Sequence, residues 1–151
     1  MNLDIEKIVR NVYQVAEVRD LDGWNAAFAE DGVFIDNSIG VTYSGPDGPT
    51  GLPVQVVNFA TAFPDMHREL YKMYFTGNYA VVQLALQGTH HGPLQLPMGK
   101  VRPTGKRMDA PCCDVFEIND DGKVKRFDCY PEGTIILTQL GVIGNLSSAL
   151  D

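Results

Sequence analysis

The stretch from Met108 to Tyr130, MDAPCCDVFEINDDGKVKRFDCY, limits the possible folds of this chain more than any other. Strand-like runs flank Asn119-Asp120-Asp121-Gly122-Lys123, and Asp-Gly between such runs signals a β-hairpin. A two-residue loop, Asp121-Gly122, pairs Ile118 with Lys125. A three-residue loop, Asp120-Asp121-Gly122, puts glycine in the left-handed position and pairs Ile118 with Val124 and Glu117 with Lys125. The second arrangement yields an apolar pair and an ion pair, and is therefore preferred. Extended away from the turn, it sets Phe116 against Arg126, Val115 against Phe127, Asp114 against Asp128, Cys113 against Cys129 and Cys112 against Tyr130.

That register puts Asp114 and Asp128 on one face, directly opposed. Two buried carboxyls so placed cannot both ionise cheaply, so one pKa rises toward the range that general acid–base catalysis uses. Arg126 on the same face gives the alternative, a neutralised structural network. Cys113 against Cys129 permits a disulfide, but buried reduced thiols are the expectation for a cytoplasmic chain.

Upstream, the pattern changes period. Ile5, Ile8, Val9, Val12, Val15 and Ala16 form one stripe of a helix over Leu3–Val18, with Tyr13 at its border as either core or pocket wall. Asp20 caps a short helix over Leu21–Glu30 that buries Trp24. Val33–Ile35 is a short strand, and Asn37 beyond it belongs either to a turn or to a cavity mouth. A third helix runs from Thr50 to about Ala62, with Pro53 tolerated in its first turn. His67–Thr76 and Tyr79–His91 read as strands, and His90 shares parity with Val82, Leu84 and Leu86. Gly92–Gly105 is an irregular connection, Glu132–Leu140 a last short helix, and 143–151 a tail. Helices followed by a run of antiparallel strands make an α+β fold within one domain, 1–142.

The formal charge of −7 over 151 residues, with no run of more than two adjacent Lys or Arg, argues against nucleic acid or an anionic membrane as partner. No apolar run is long enough for a membrane span, and the charged N-terminal stretch has no signal-peptide core, so the expected location is cytoplasmic. There is no GxSxG, no phosphate-binding loop, no HExxH and no ligand-spaced His/Cys/Asp cluster, so the ingredients of those chemistries are missing and no metal site is expected.

Gly88-Thr89-His90-His91-Gly92, Pro103-Thr104-Gly105-Lys106-Arg107, Asp114-Val115-Phe116, Gly122-Lys123-Val124 and Phe127-Asp128 occur in that order. With Asp20–Trp24, Phe28–Asp31, Phe63-Pro64-Asp65 and Gln139–Val142, they resemble the SnoaL-like polyketide cyclases, of the nuclear-transport-factor-2 and ketosteroid-isomerase superfamily. The resemblance spans residues 5–142. It implies a cone-shaped α+β barrel, a homodimer formed through the outer sheet face, and cofactor-independent acid/base chemistry (cyclase, isomerase or lyase) on a small hydrophobic carbonyl compound. Asp128 carries over as the acid/base, with Asp114 as its partner and His90 assisting. Arg126, Tyr130, Asn37, Trp24 and Tyr13 are expected around the substrate. The chain departs from the cyclases at Cys112-Cys113, at Arg126-Phe127-Asp128 in place of His-Trp-Asp, and in a longer connection after Gly92. The alternative is a non-catalytic ligand-binding or dimeric interaction protein.

Overall fold

A computed structural model describes residues 3–143 and 150. The expected tail at 143–151 therefore falls almost wholly outside the described residues. Twelve elements follow in the order α1 (Ile5–Glu17), α2 (Leu21–Ala27), β1 (Phe28–Asp36), β2 (Val41–Ser44), α3 (Leu52–Ala62), β3 (His67–Thr76), β4 (Tyr79–Thr89), β5 (Leu94–Leu96), β6 (Gly99–Val101), β7 (Arg107–Ile118), β8 (Val124–Pro131) and α4 (Gly133–Gln139).

Local chemistry sets the helix ends. The Asp4 carboxylate accepts from the Lys7 N–H and the Asp20 carboxylate from the Gly23 N–H, each satisfying an orphan donor of a first turn. Pro53 lies in the first turn of α3, where its missing N–H costs nothing. Helix α2 stops at Ala27, three residues short of the expected end. Phe28 instead opens β1, where its ring packs on Trp24 at 5.0 Å between centroids.

Six strands form one sheet in the order β2-β1-β8-β7-β4-β3, and β5 and β6 make a separate hairpin within the stretch expected to be irregular. All pairings in the large sheet are antiparallel except that of β1 with β8, so the sheet is mixed. Four helices wrap an α+β sheet of the kind expected. Its inner face carries Phe34, Ala80, Val82, Leu84, Leu86, Met108, Ala110, Phe116 and Phe127, all nearly inaccessible to solvent. An aromatic cluster fills the centre, with the Phe116 and Phe127 rings 4.1 Å apart and those of Phe34 and Phe127 4.5 Å apart.

The β7–β8 turn forms as expected. Gly122 takes φ +77°, the Asn119 side-chain oxygen accepts from the N–H groups of Asp121 and Lys123, and Ile118 pairs with Val124. The register then changes. Glu117 pairs with Arg126 rather than Lys125, so Lys125 is the extra residue of a β-bulge. Val124 and Phe127 explain it: both are buried, yet they lie three residues apart. Strict alternation would expose one of them, and a single added residue lets both face the core. The Glu117–Lys125 ion pair survives at 3.7 Å.

The bulge overturns the expected pairs beyond it. Asp114 is opposite Cys129, Val115 opposite Asp128, and Cys113 opposite Tyr130. Asp114 and Asp128 therefore project from opposite faces of the sheet and do not form a pair.

Candidate functional site

Between the inner face of the sheet, α3, α4 and the β5–β6 hairpin lies a cavity of about 330 Å3. Leu94, Leu96, Phe59, Phe63, Ile136 and Leu137 supply most of its wall, and its polar groups are Asp36, Ser38, Tyr43, Gln55, Asn58, Gln95 and Thr134. Its size and mostly apolar lining suit a small organic molecule. Gln55 and Phe59 also line a second, inner void of about 20 Å3, together with Tyr13, Trp24, Arg68, Asp114 and Cys129. The outer cavity and the inner void thus share a wall built from one turn of α3.

Asp36, at the end of β1, is only 4% exposed and has the same parity as buried Phe34. Its Oδ1 accepts from the Ser38 N–H at 3.0 Å and from the Ser38 hydroxyl at 2.6 Å. Burial raises its pKa, against the lowering effect of these bonds. Tyr43 beside it is also raised, first by burial and then by the charge on Asp36.

Asp114 marks the inner end. It is 2% exposed, and its Oδ2 accepts from the Tyr13 hydroxyl at 2.6 Å. Cys112 Sγ lies 3.4 Å from its Oδ1 and 3.7 Å from Cys129 Sγ. Burial pushes the Asp114 carboxyl up to about 6, while Tyr13, the two thiols and the charge of Arg68 act to lower it. The thiols of Cys112 and Cys129 are themselves shifted upward. Among the described residues, the one group of donors close enough to hold a metal ion is Cys112, Asp114 and Cys129, within 4.8 Å of one another. Sequence spacing gave no hint of it, because two neighbouring strands bring the donors together.

The other expected site residues are dispersed. Asp128 lies on the outer face, where Arg126 Nε donates to its Oδ2 at 2.6 Å and Asn37 Nδ2 to its Oδ1 at 3.2 Å. Its pKa is lowered by these bonds in spite of partial burial. Arg126 and Tyr130 are largely exposed on that same face. Asp128, Arg126, Tyr130 and Asn37 line neither the cavity nor the inner void. His90 is fully buried past the end of β4; its Nδ1 meets the Thr104 hydroxyl at 3.0 Å, and its ring packs on Phe63. Tyr13 and Trp24 do line the inner void, and Trp24 Nε1 donates to the Leu52 carbonyl. Asp36 and Gln55 were missed. Asp36 follows Phe34 by two residues, so the parity of β1 carried the signal that would have found it.

The chain matches the family model for the SnoaL-like domain over residues 9–127. No curated protein matches its sequence. Among solved structures it is similar to a candidate SnoaL-like polyketide cyclase from Jannaschia sp. CCS1, at 20% identity and a TM-score of 0.77, with 93% of each chain covered. It is also similar to AclR, a candidate hydroxylase from Streptomyces galilaeus, at 18% identity and a TM-score of 0.74, over 97% of this chain and 91% of that one. A third is a protein of ketosteroid isomerase-like fold from Catenulispora acidiphila, bound to trimethylamine, at 16% identity and a TM-score of 0.73, over 91% and 94%. At these identities the likeness establishes the fold alone.

Proposed function

The chain belongs to the SnoaL-like domain family, and from that premise we propose that it is an enzyme that moves protons on a small hydrophobic carbonyl compound, with its own side chains as acid and base. One observation carries the reading: Asp36 is a buried carboxyl on the wall of an otherwise largely apolar cavity. An ordinary carboxylate is a weak base toward a C–H bond. Burial raises its pKa, and with it the driving force for taking a proton from the carbon next to a carbonyl.

In this reading Asp36 removes that proton, and the C–H electron pair moves into an enolate. The Tyr43 hydroxyl and the side-chain amides of Gln55 and Asn58, which line the same cavity, are donors within reach of the enolate oxygen in this reading. Return of the proton at another carbon is isomerisation, attack of the enolate on a second carbonyl is ring closure, and loss of a leaving group is a lyase reaction. The substrate decides among them. The acid/base role expected of Asp128 passes to Asp36, because Asp128 lies outside the cavity in an ion pair with Arg126. The outer sheet face, with Tyr71, Tyr74 and Tyr130 exposed, is the surface we assign to a homodimer contact.

Deuterium uptake at the α-carbons of a panel of bicyclic ketones, followed by NMR in D2O, tests the proton transfer. Asp36→Asn is expected to lower the rate by roughly 10²–10⁴-fold, and Asp128→Asn to leave it within about twofold of wild type. Wild-type exchange no faster than buffer across the panel, or Asp36→Asn as fast as wild type, would refute the assignment. The rival reading, a non-catalytic ligand-binding pocket, uses the same cavity. It predicts saturable ketone binding with no exchange.

A further inference from the structure

Cys112, Asp114 and Cys129 take no part in the proton transfer assigned to Asp36. We propose that they form a binding site for one thiophilic divalent cation of the Zn2+ class, held by Cys112 Sγ, Cys129 Sγ and Asp114 Oδ1. This inference does not rest on the reading of Asp36.

The first argument is distance. With Zn–S bonds near 2.3 Å and Zn–O bonds near 2.1 Å, a tetrahedral ion sets its sulfurs about 3.8 Å apart and a sulfur and an oxygen about 3.6 Å apart. The two sulfurs stand at 3.7 Å, and Cys112 Sγ and Asp114 Oδ1 at 3.4 Å. In the metal-free protein the same spacing serves thiol hydrogen bonds, so binding needs little rearrangement beyond the loss of protons.

The second argument is the surroundings. The Tyr13 hydroxyl occupies Asp114 Oδ2, which fixes the carboxylate and leaves Oδ1 toward the thiols, as an orienting partner of a metal ligand does. Two thiolates and a carboxylate sum to three negative charges, of which the cation neutralises two. Arg68 lines the same void and brings positive charge to it, although its Nη1 also lies 3.4 Å from a Glu17 carboxylate oxygen.

The third argument is independent of the donors. Gln55 is 5% exposed and lines the void beside Asp114 and Cys129, yet its Oε1 is buried without a hydrogen-bond partner. The void of about 20 Å3 has room for one water. A water on the fourth position of the ion would occupy that room and supply a donor to Gln55. Three protein ligands with one open position is the arrangement of a zinc site that can exchange its outer ligand. Binding releases the thiol protons, and the Asp114 proton where it is present, with no electron transferred.

The full chain, reduced and stripped with chelator, is titrated with Co2+ and then with Zn2+. The expected result is a thiolate-to-cobalt charge-transfer band that saturates at one ion per chain and is bleached by Zn2+. Cys112→Ser and Cys129→Ser lose the band, and Cys113→Ser, which alters a thiol on the other face of β7, keeps it. Tyr13→Phe weakens affinity by about 10–100-fold, as loss of an orienting partner does. Absence of the band in wild type, or its persistence in both Cys112→Ser and Cys129→Ser, overturns the proposal. Should a serine variant fail to fold, the wild type decides alone: saturating Zn2+ raises its Tm, and an unchanged Tm overturns the site.

Discussion

The bond between Tyr13 and Asp114 links the first helix to the centre of the sheet, and its removal by Tyr13→Phe has an outcome that depends on pH. Both residues are buried, and the hydroxyl lies 2.6 Å from the carboxylate. The ring itself rests edge-on against Phe116 at 5.7 Å and Phe127 at 6.4 Å, contacts that phenylalanine retains. The variant therefore removes the hydrogen bond and little else. Burial pushes the Asp114 carboxyl up to about 6, so at pH 8 the acceptor is ionised. A hydrogen bond to a charged group contributes about 1.5–3 kcal/mol and one between neutral groups about 0.5–1.5.

The sign follows from which form the hydroxyl favours. Burial raises the folded-state pKa of Asp114 above its ordinary 3.8, so this group favours the folded state most below 3.8, and its contribution declines as pH rises through about 6. Tyr13 stabilises the carboxylate and limits that decline, so Tyr13→Phe must cost more at pH 8 than at pH 4.5. In a chain of this size the pH 8 penalty corresponds to a Tm lowered by roughly 3–12 °C. The assay is urea unfolding in chelator and reductant, of wild type, Tyr13→Phe, Asp114→Leu and the double variant, at both pH values. The double-mutant cycle should give a coupling above about 1 kcal/mol at pH 8 and a smaller one at pH 4.5. Equal penalties at the two pH values, or a coupling below about 0.5 kcal/mol at pH 8, would refute the account of this bond.

Two further perturbations address the frame around the site. A Cβ at Gly92 would fall 1.9 Å from the Thr61 carbonyl oxygen, at the point where the N–H groups of His91 and Gly92 both bond the Ala62 carbonyl. Gly92→Ala should therefore cost about 1–3 kcal/mol in urea unfolding; a variant as stable as wild type would refute the close packing of this loop on α3. His67 lies between Glu69 and Glu17, at 2.8 and 2.5 Å, and their bonds raise its pKa above 6.5. Its stabilising contribution is fully present below 6.5 and is lost as pH rises through the folded value. An NMR titration should place the imidazole above 6.5, with Glu69→Gln and Glu17→Gln each lowering it; an unshifted value in either variant would refute that partner's role.

Much of the frame was legible in the sequence because it depends on local chemistry. Asp20 and Pro53 mark helix starts, and Gly122 with Asn119 fixes the hairpin turn, each through contacts a few residues away. What could not be read locally was the assembly of the site. Asp36 and Gln55 come from β1 and α3, and only the folded sheet brings them to one cavity. The cation donors lie on two strands, and Cys113, beside Cys112 in the chain, points to the opposite face. The parallel pairing of β1 with β8 joins residues about ninety positions apart and left no pattern in either segment.

The bulge at Lys125 decides more of the chemistry than any other single residue of the hairpin. Without it, Asp128 would face inward beside Asp114, and Arg126 would be carried inward against Phe116. Val124-Lys125-Arg126-Phe127 already opposes that arrangement: two consecutive charges cannot both be outside on a regular strand, and two core residues three apart cannot both be inside. The added residue resolves both conflicts at once. It sends Phe127 and Cys129 inward to the aromatic cluster and to Asp114, and it leaves Arg126 and Asp128 to neutralise each other on the outer face. Asp114 thus exchanges a carboxylate neighbour for a thiol. That exchange turns an expected acid pair into a set of cation donors, and it leaves Asp36 as the buried carboxyl on the wall of the larger cavity.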